Sequence, residues 1–268
     1  MAPNKSNAVE KALEILMAFS PTNLELGTTD LNRITGFHVA TVSRTIQILT
    51  RKGFLQQNPL TRKFRLGLSI FSLGQTAMES VSEGLSNIAM PVLGALGKKL
   101  GETVVIEMVS GGKGIITHVV QGAKASSIRG HIGGRVATHA GAGTKTILAF
   151  CKQEVVDDIL KNKLARLTDK TITDPEKFRR HIEKIKREGV GFCREEIDIG
   201  INAIGVPIFN HKNEPAGSVV VIGPSPRIKC EVKSPIVAEL RKAASEIEAQ
   251  LFHQETMGKG NHLGNRGS

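Results

Sequence analysis

Residues 28–53 read TTDLNRITGFHVATVSRTIQILTRKG, and the fold of the N-terminal part turns on them. Thr29 and Asp30 can cap a short helix that runs to Ile34 and is ended by Gly36. A second helix is expected from about His38 to Lys52, with Gly53 as its stop. Its apolar positions, Val39, Val42, Ile46 and Leu49, are spaced 3, 4 and 3, which is helical spacing. The opposite face carries Ala40, Arg44, Gln47 and Arg51. Two helices joined by a tight glycine-containing turn, the second with a polar basic face, make a helix-turn-helix. In such units the first residues of the second helix meet base edges in the major groove. The candidates are His38, Ala40, Thr41, Ser43 and Arg44, with Gln47 on the same face. Arg can bind guanine with two hydrogen bonds, Ser and Thr can bond to base or phosphate, and Ala can meet a thymine methyl.

Upstream, Val9, Ala12, Leu13, Leu16 and Phe19 give one amphipathic helix over residues 8–19. Downstream, residues 54–57 read as a strand, residues 58–61 as a turn around Pro59, and residues 62–66 as the returning strand. A hairpin behind the second helix is a wing, and Arg62, Lys63 and Arg65 on it would hold phosphates. No Asp or Glu occurs from Leu31 to Met78, a stretch that carries Arg33, Arg44, Arg51, Lys52, Arg62, Lys63 and Arg65. On charge alone a polyphosphate partner and a solvated basic face fit equally well. A winged helix can also serve protein contacts alone, and the acid-free basic surround puts double-stranded DNA ahead of that reading.

The bulk properties set the frame for this reading. The chain has 268 residues and 40% hydrophobic content, enough for two domains with real cores. It has no apolar run long enough to span a membrane, and residues 1–7 lack the apolar centre of a signal peptide, so a cytoplasmic protein is expected. Cys151, Cys193 and Cys230 are odd in number and far apart, which suggests neither disulfides nor a zinc site.

Residues 68–84 and 85–100 are expected to be helical, the latter despite Pro91. From Thr103 the pattern changes. Strands are expected at 103–109 and 115–120 around a turn at Gly111 and Gly112, then at 203–209 and 218–223. Helices are expected at 145–150, 153–161, 175–188 and 234–252, and the Gly- and Asn-rich stretch after Met257 reads as a disordered tail. An antiparallel sheet flanked by helices is the simplest second domain, so the fold class is α+β.

Several short stretches in order resemble the IclR family of bacterial transcription regulators over nearly the whole chain. They are residues 9–16 (VEKALEIL), 41–44 (TVSR) with the 52–54 stop (KGF), and 64–67 (FRLG). In the second half they are residues 139–145 (HAGAGTK), the run 189–208, and 222–224 (IGP) followed by Arg227. The resemblance implies a winged helix-turn-helix at 1–75, a helical linker at 76–90, and a GAF-like effector-binding domain at 91–256. It also implies a homodimer or dimer of dimers, either repressor or activator, that responds to a small organic acid or aromatic compound. No cofactor, metal or catalytic residue is implied.

Matching residue by residue places the family's effector pocket on Ile128, Val136, Ala142, Gly143, Cys193, Ala203, Val220 and Ile222. Where members that bind small oxo-acids have polar side chains, this chain has Cys193, Ala203, Val220 and Ile222. Such walls would not satisfy a very small polar acid, so a carboxylate with a sizeable apolar body is expected. For Val220 a plain core role fits equally. The Gly-rich loop at 141–145 could offer the backbone N–H groups of Ala142 and Gly143 to a carboxylate, or could be a turn that needs glycine. Thr144 departs from the family, which usually has Gly there. Cys193 fits a pocket wall or core position better than a nucleophile. His139 suits a structural hydrogen bond, and Glu195 and Glu196 suit support of the fold. The rival reading, an enzyme carrying a winged helix, finds no convergent acid/base or metal set.

Overall fold

The computed structural model describes residues 7–82, 85–124 and 130–261. The chain divides into two compact units after Val81.

In the first unit α1 (Ala8–Met17), α2 (Thr28–Thr35) and α3 (Val39–Arg51) are followed by β1 (Leu55–Gln57), β2 (Phe64–Leu66) and α4 (Leu68–Ser82). Its core is Ile15, Leu26, Leu31, Val42, Ile46, Leu49 and Leu55. Val42, Ile46 and Leu49 face inward as their spacing requires, but Val39 is 49% exposed, because the core begins one turn later, at Val42. Gly36 ends α2 in the left-handed conformation at φ +71°, where a side chain would be strained. The start of α2 differs from expectation. Its N-cap is Gly27, and Asp30 reaches back to accept the Gly27 N–H at 3.0 Å instead of capping the helix itself.

The second unit holds α5 (Leu85–Leu100), β3 (Thr103–Ser110), β4 (Lys113–Val120), β5 (Arg135–Val136), α6 (Ala142–Phe150), α7 (Gln153–Leu160), α8 (Pro175–Glu188), β6 (Gly191–Arg194), β7 (Ile201–Phe209), β8 (Pro215–Pro224) and α9 (Pro235–Asn261). Six strands pair antiparallel in the order β5-β4-β3-β8-β7-β6. The fold is therefore an N-terminal helix-turn-helix unit followed by an α+β unit.

Period-two alternation sends the two faces of this sheet to different partners. Val104, Ile106, Ile204, Val206, Val219 and Val221 join Leu93 of α5 and Leu240 and Ile247 of α9 in one core. Val105, Ala203 and Val220 point the other way and meet Ala142 of α6. The close approach of α6 depends on glycine: a Cβ on Gly205 would lie 2.9 Å from Gly143 Cα, and one on Gly191 would lie 2.2 Å from Thr146 Oγ1.

β4, β7 and β8 each begin two or three residues earlier than the sequence suggests, and other departures are larger. β5 and β6 were assigned no strand; each is an edge strand of two or four residues, too short to show alternation. α6 starts at Ala142, three residues early, because Gly141 is its N-cap and packing on the sheet holds a first turn that contains Gly143 and Thr144, both weak helix formers. α9 continues to Asn261, into the stretch read as a tail.

Candidate DNA-contact surface and effector cavity

The candidate DNA surface lies on α3 and the wing. His38 is the N-cap of α3, and its Nδ1 accepts the Ala40 N–H at 3.3 Å, which leaves Nε2 uncommitted to the cap. Ala40, Arg44 and Gln47 are exposed, while Thr41 and Ser43 are half-buried on the same stretch. Asn32 Nδ2 donates to Phe37 O at 2.6 Å and fixes the turn that leads into α3.

The wing is set by register. Gln56 pairs with Arg65 and Gln57 with Phe64, and Arg65 Nη2 donates to Gln56 Oε1 at 3.2 Å. Glu25 holds the wing tip, accepting from Asn58 Nδ2 at 2.8 Å and Thr61 Oγ1 at 3.0 Å. Those two hydrogen bonds keep its carboxyl below the usual range. Arg62 sits at the tip with φ 59°. Arg62, Lys63 and Arg65 are all exposed. Lys63 leans toward Asp30, with Nζ 3.9 Å from Oδ2. Among the described residues Arg44, Arg51 and Arg62 have no ion-pair partner, so their charge is available to an outside anion.

A cavity of about 630 Å³ opens in the second unit, where α6 begins against the sheet. That volume suits a small organic molecule. Part of its wall is one cross-strand row. Cys193 pairs with Ala203 and Ala203 with Ile222, so residues distant in sequence become direct neighbours. Val136 and Ala142 complete this apolar side, and Ile116 and Ile197 add to it. Gly143 and Val220 are not on the wall. A Cβ on Gly143 would lie 2.5 Å from Val220 Cγ2, so the two pack on each other, and Val220 is core. The expected pair of amides at Ala142 and Gly143 is therefore not presented to the cavity together. Ile128 lies outside the described residues.

The polar groups of the wall were not singled out in the sequence. Glu107 lines it from β3 and is 3% exposed. Its Oε2 accepts the Thr144 N–H at 2.9 Å, so one amide of the first turn of α6 is already taken. Burial pushes the Glu107 carboxyl up to about 7, against the Thr144 N–H and Lys145, which pull it down. The available signal was a single carboxylate in the middle of the apolar strand TVVIEMV. Arg135 and Asp198 bring further charge to the wall.

Behind the wall Lys145 is fully buried and pairs with Glu196 at 2.5 Å, no closer than the exposed pair Lys161–Asp158 but far drier. Burial lowers the Lys145 pKa while Glu196 opposes that shift. Burial raises the Cys193 thiol despite nearby Lys145, which favours the thiol over the thiolate. His139 Nε2 contacts Ala165 O at 2.8 Å, a structural bond as expected. Glu195 is tied to Lys170 Nζ at 2.9 Å and accepts the Gly200 N–H at 3.0 Å. No helix among the described residues is long and apolar enough to cross a membrane.

Known proteins share this architecture. Residues 8–59 match the IclR helix-turn-helix domain, and residues 78–249 match the family described as bacterial transcriptional regulator IclR C-terminal. The HTH-type transcriptional regulator KipR of Bacillus subtilis is 28% identical, over 92% of this chain and 98% of its own length. A crystal structure of a putative IclR transcriptional regulator from Silicibacter sp. TM1040 superposes with TM-score 0.80 at 27% identity, over 91% of this chain and 96% of that one. An IclR homolog from Microbacterium hydrocarbonoxydans, complexed with 4-hydroxybenzoate, has the same fold, with TM-score 0.71 at 22% identity, over 91% of this chain and 99% of that one. The matched models together span most of both units, and the chain belongs to the IclR family of bacterial transcriptional regulators.

Proposed function

We propose that this regulator binds double-stranded operator DNA through α3 and the wing, under the control of a small organic acid held in the cavity of its second unit. The observation that supports it best is the cavity itself. Val136, Cys193, Ala203 and Ile222 offer an apolar wall, and Glu107, Arg135, Asp198 and Asn202 add polar groups to the same lining. Burying apolar surface contributes about 25 cal/mol per Å², so this wall rewards a ligand with a sizeable apolar body. An oxo-acid of two or three carbons gains little there and loses its hydration. Arg135, on β5, is the cation placed to meet a carboxylate, and the Ala142 N–H at the start of α6 is a second donor. An aromatic acid meets all these demands, and the 4-hydroxybenzoate bound by the Microbacterium homolog is one such compound.

On the DNA side Arg44, His38, Ala40, Thr41, Ser43 and Gln47 would face the bases, and Arg62, Lys63 and Arg65 the phosphates. One α3 reads few base pairs, so the chain would act in the cytoplasm as a homodimer or dimer of dimers on paired half-sites. It would act as a switch, without turnover of the acid. The test is calorimetric titration of the full chain with benzoate and with glyoxylate, followed by a mobility shift of DNA from upstream of its own gene. Tighter binding of benzoate, with an altered shift, is the expected result. Tighter binding of glyoxylate, or a shift blind to both acids, overturns the reading.

A further inference from the structure

Glu107 is the buried titratable carboxyl of the cavity wall, and the proposed function leaves it unused. It sits mid-strand on β3, 3% exposed. Its Oε2 accepts the Thr144 N–H at 2.9 Å, while Oε1 makes no hydrogen bond among the described residues and the side chain lines the cavity. The absence of a side chain at Gly143 makes room for it: a Cβ there would lie 2.7 Å from Oε2. A buried carboxyl with one oxygen anchored at a helix start and the other unpartnered on a cavity wall is an incomplete site. A hydrogen-bonding group that enters the cavity completes it in place of solvent.

The surroundings decide in which form it does so. From α6, Thr144 offers its N–H and Lys145 its charge, but Lys145 is paired with Glu196. From β8, Ser218 is the Cα partner of Glu107, and its hydroxyl has no hydrogen bond. From β4 the partner is Ile116, which has no charge to give. Elsewhere the wall carries Arg135, Asp198 and Cys193. No cation is paired with Glu107, and burial outweighs the Thr144 N–H and Lys145 and pushes its carboxyl up to about 7. A carboxylate ligand entering the same closed space adds a second negative charge, and two carboxylates that share one site do not both stay ionised.

We propose that Glu107 is an effector-contacting residue that meets an organic acid in its neutral form, so that the protein takes up one proton as the effector binds. The proton comes from solvent and resides on Oε1, which then donates to an oxygen of the effector while Oε2 keeps the Thr144 N–H. Glu107 thereby selects acids by proton linkage as well as by shape. The inference rests on the organic-acid reading of the cavity.

The experiment is calorimetric titration of the full chain with benzoate, 4-hydroxybenzoate and the uncharged benzamide, from pH 6.5 to 8.5. Each titration is run in two buffers of different ionisation enthalpy, so that protons taken up are counted directly. Above pH 7.5 the Kd of the acids should weaken about tenfold per pH unit, with uptake approaching one proton per site. Benzamide should show neither effect. Glu107→Gln should bind the acids with a Kd that no longer depends on pH. Acid binding with a flat profile and no proton uptake in the unsubstituted protein overturns the role of Glu107, as does proton release. That comparison needs no variant, so it stands even if Glu107→Gln fails to fold. Binding by none of the ligands, or acid binding unaffected by Ala203→Phe, overturns the cavity reading itself, which is a different result.

Discussion

The surface of α3 with its wing and the cavity beside α6 are built on opposite principles. On α3 the working groups are exposed and local: Arg44 and Gln47 stand on one face of a single helix, and the wing follows within a few residues. Their geometry comes from helical periodicity, which holds wherever a helix forms. In the cavity the apolar wall and Glu107 are buried or half-buried and assembled from β3, β5, β6, β7 and β8 and the start of α6, and the strand residues become neighbours through register; of the polar groups, Arg135 and Asp198 stay exposed. An exposed site loses function when a side chain is removed but keeps its fold. A buried site couples function to stability, because the groups that shape it also fill the interior.

The sharpest way to break this contrast is the buried ion pair behind the cavity. Lys145→Ala leaves Glu196 charged and unpaired, and should lower the stability of the second unit by about 3–5 kcal/mol. Replacing both partners, Lys145→Met with Glu196→Leu, should recover most of that loss. With no Trp or Tyr in the chain, urea unfolding followed by far-ultraviolet circular dichroism is the suitable measurement. A cost below about 1 kcal/mol would mean the pair behaves like one at the surface.

Ala203→Phe comes next. Ala203 is 8% exposed and lies between Cys193 and Ile222 on the wall, so a ring there fills the cavity. Benzoate binding should weaken by about 2 kcal/mol or more, roughly 30-fold, with DNA affinity unchanged in a mobility shift. An unchanged benzoate titration would place the effector elsewhere.

Arg44→Ala probes the exposed site. It should weaken binding to the cognate operator by about 1–3 kcal/mol and leave urea stability unchanged. Equal weakening on unrelated DNA would reassign Arg44 from base to phosphate.

The smallest expected effects are on the wing. Arg62→Ala should reduce the slope of log affinity against log salt by about 1, on any DNA sequence. Lys63→Ala should reduce it less, because Lys63 already leans on Asp30. Equal slopes for the two variants would show that Asp30 does not compete with DNA for Lys63.

The helix-turn-helix, the wing and most of the strands were legible in the sequence because each follows from local rules: apolar spacing, a glycine at φ +71° to end α2, a hairpin turn at Gly111 and Gly112. The matched pocket positions Val136, Ala142, Cys193, Ala203 and Ile222 do reach the cavity wall. Tertiary structure alone decided the rest. Gly143 and Val220 were drawn into packing because α6 sits almost in contact with the sheet. Lys145, which reads as an ordinary helix residue, is fully buried, and its partner Glu196 comes from the segment after β6. Glu107 became a cavity group because the start of α6 packs across β3 and offers one amide to its carboxylate. Periodicity records which face of an element turns inward, but burial of charge depends on what another part of the chain brings to that face, and no local pattern encodes that partner.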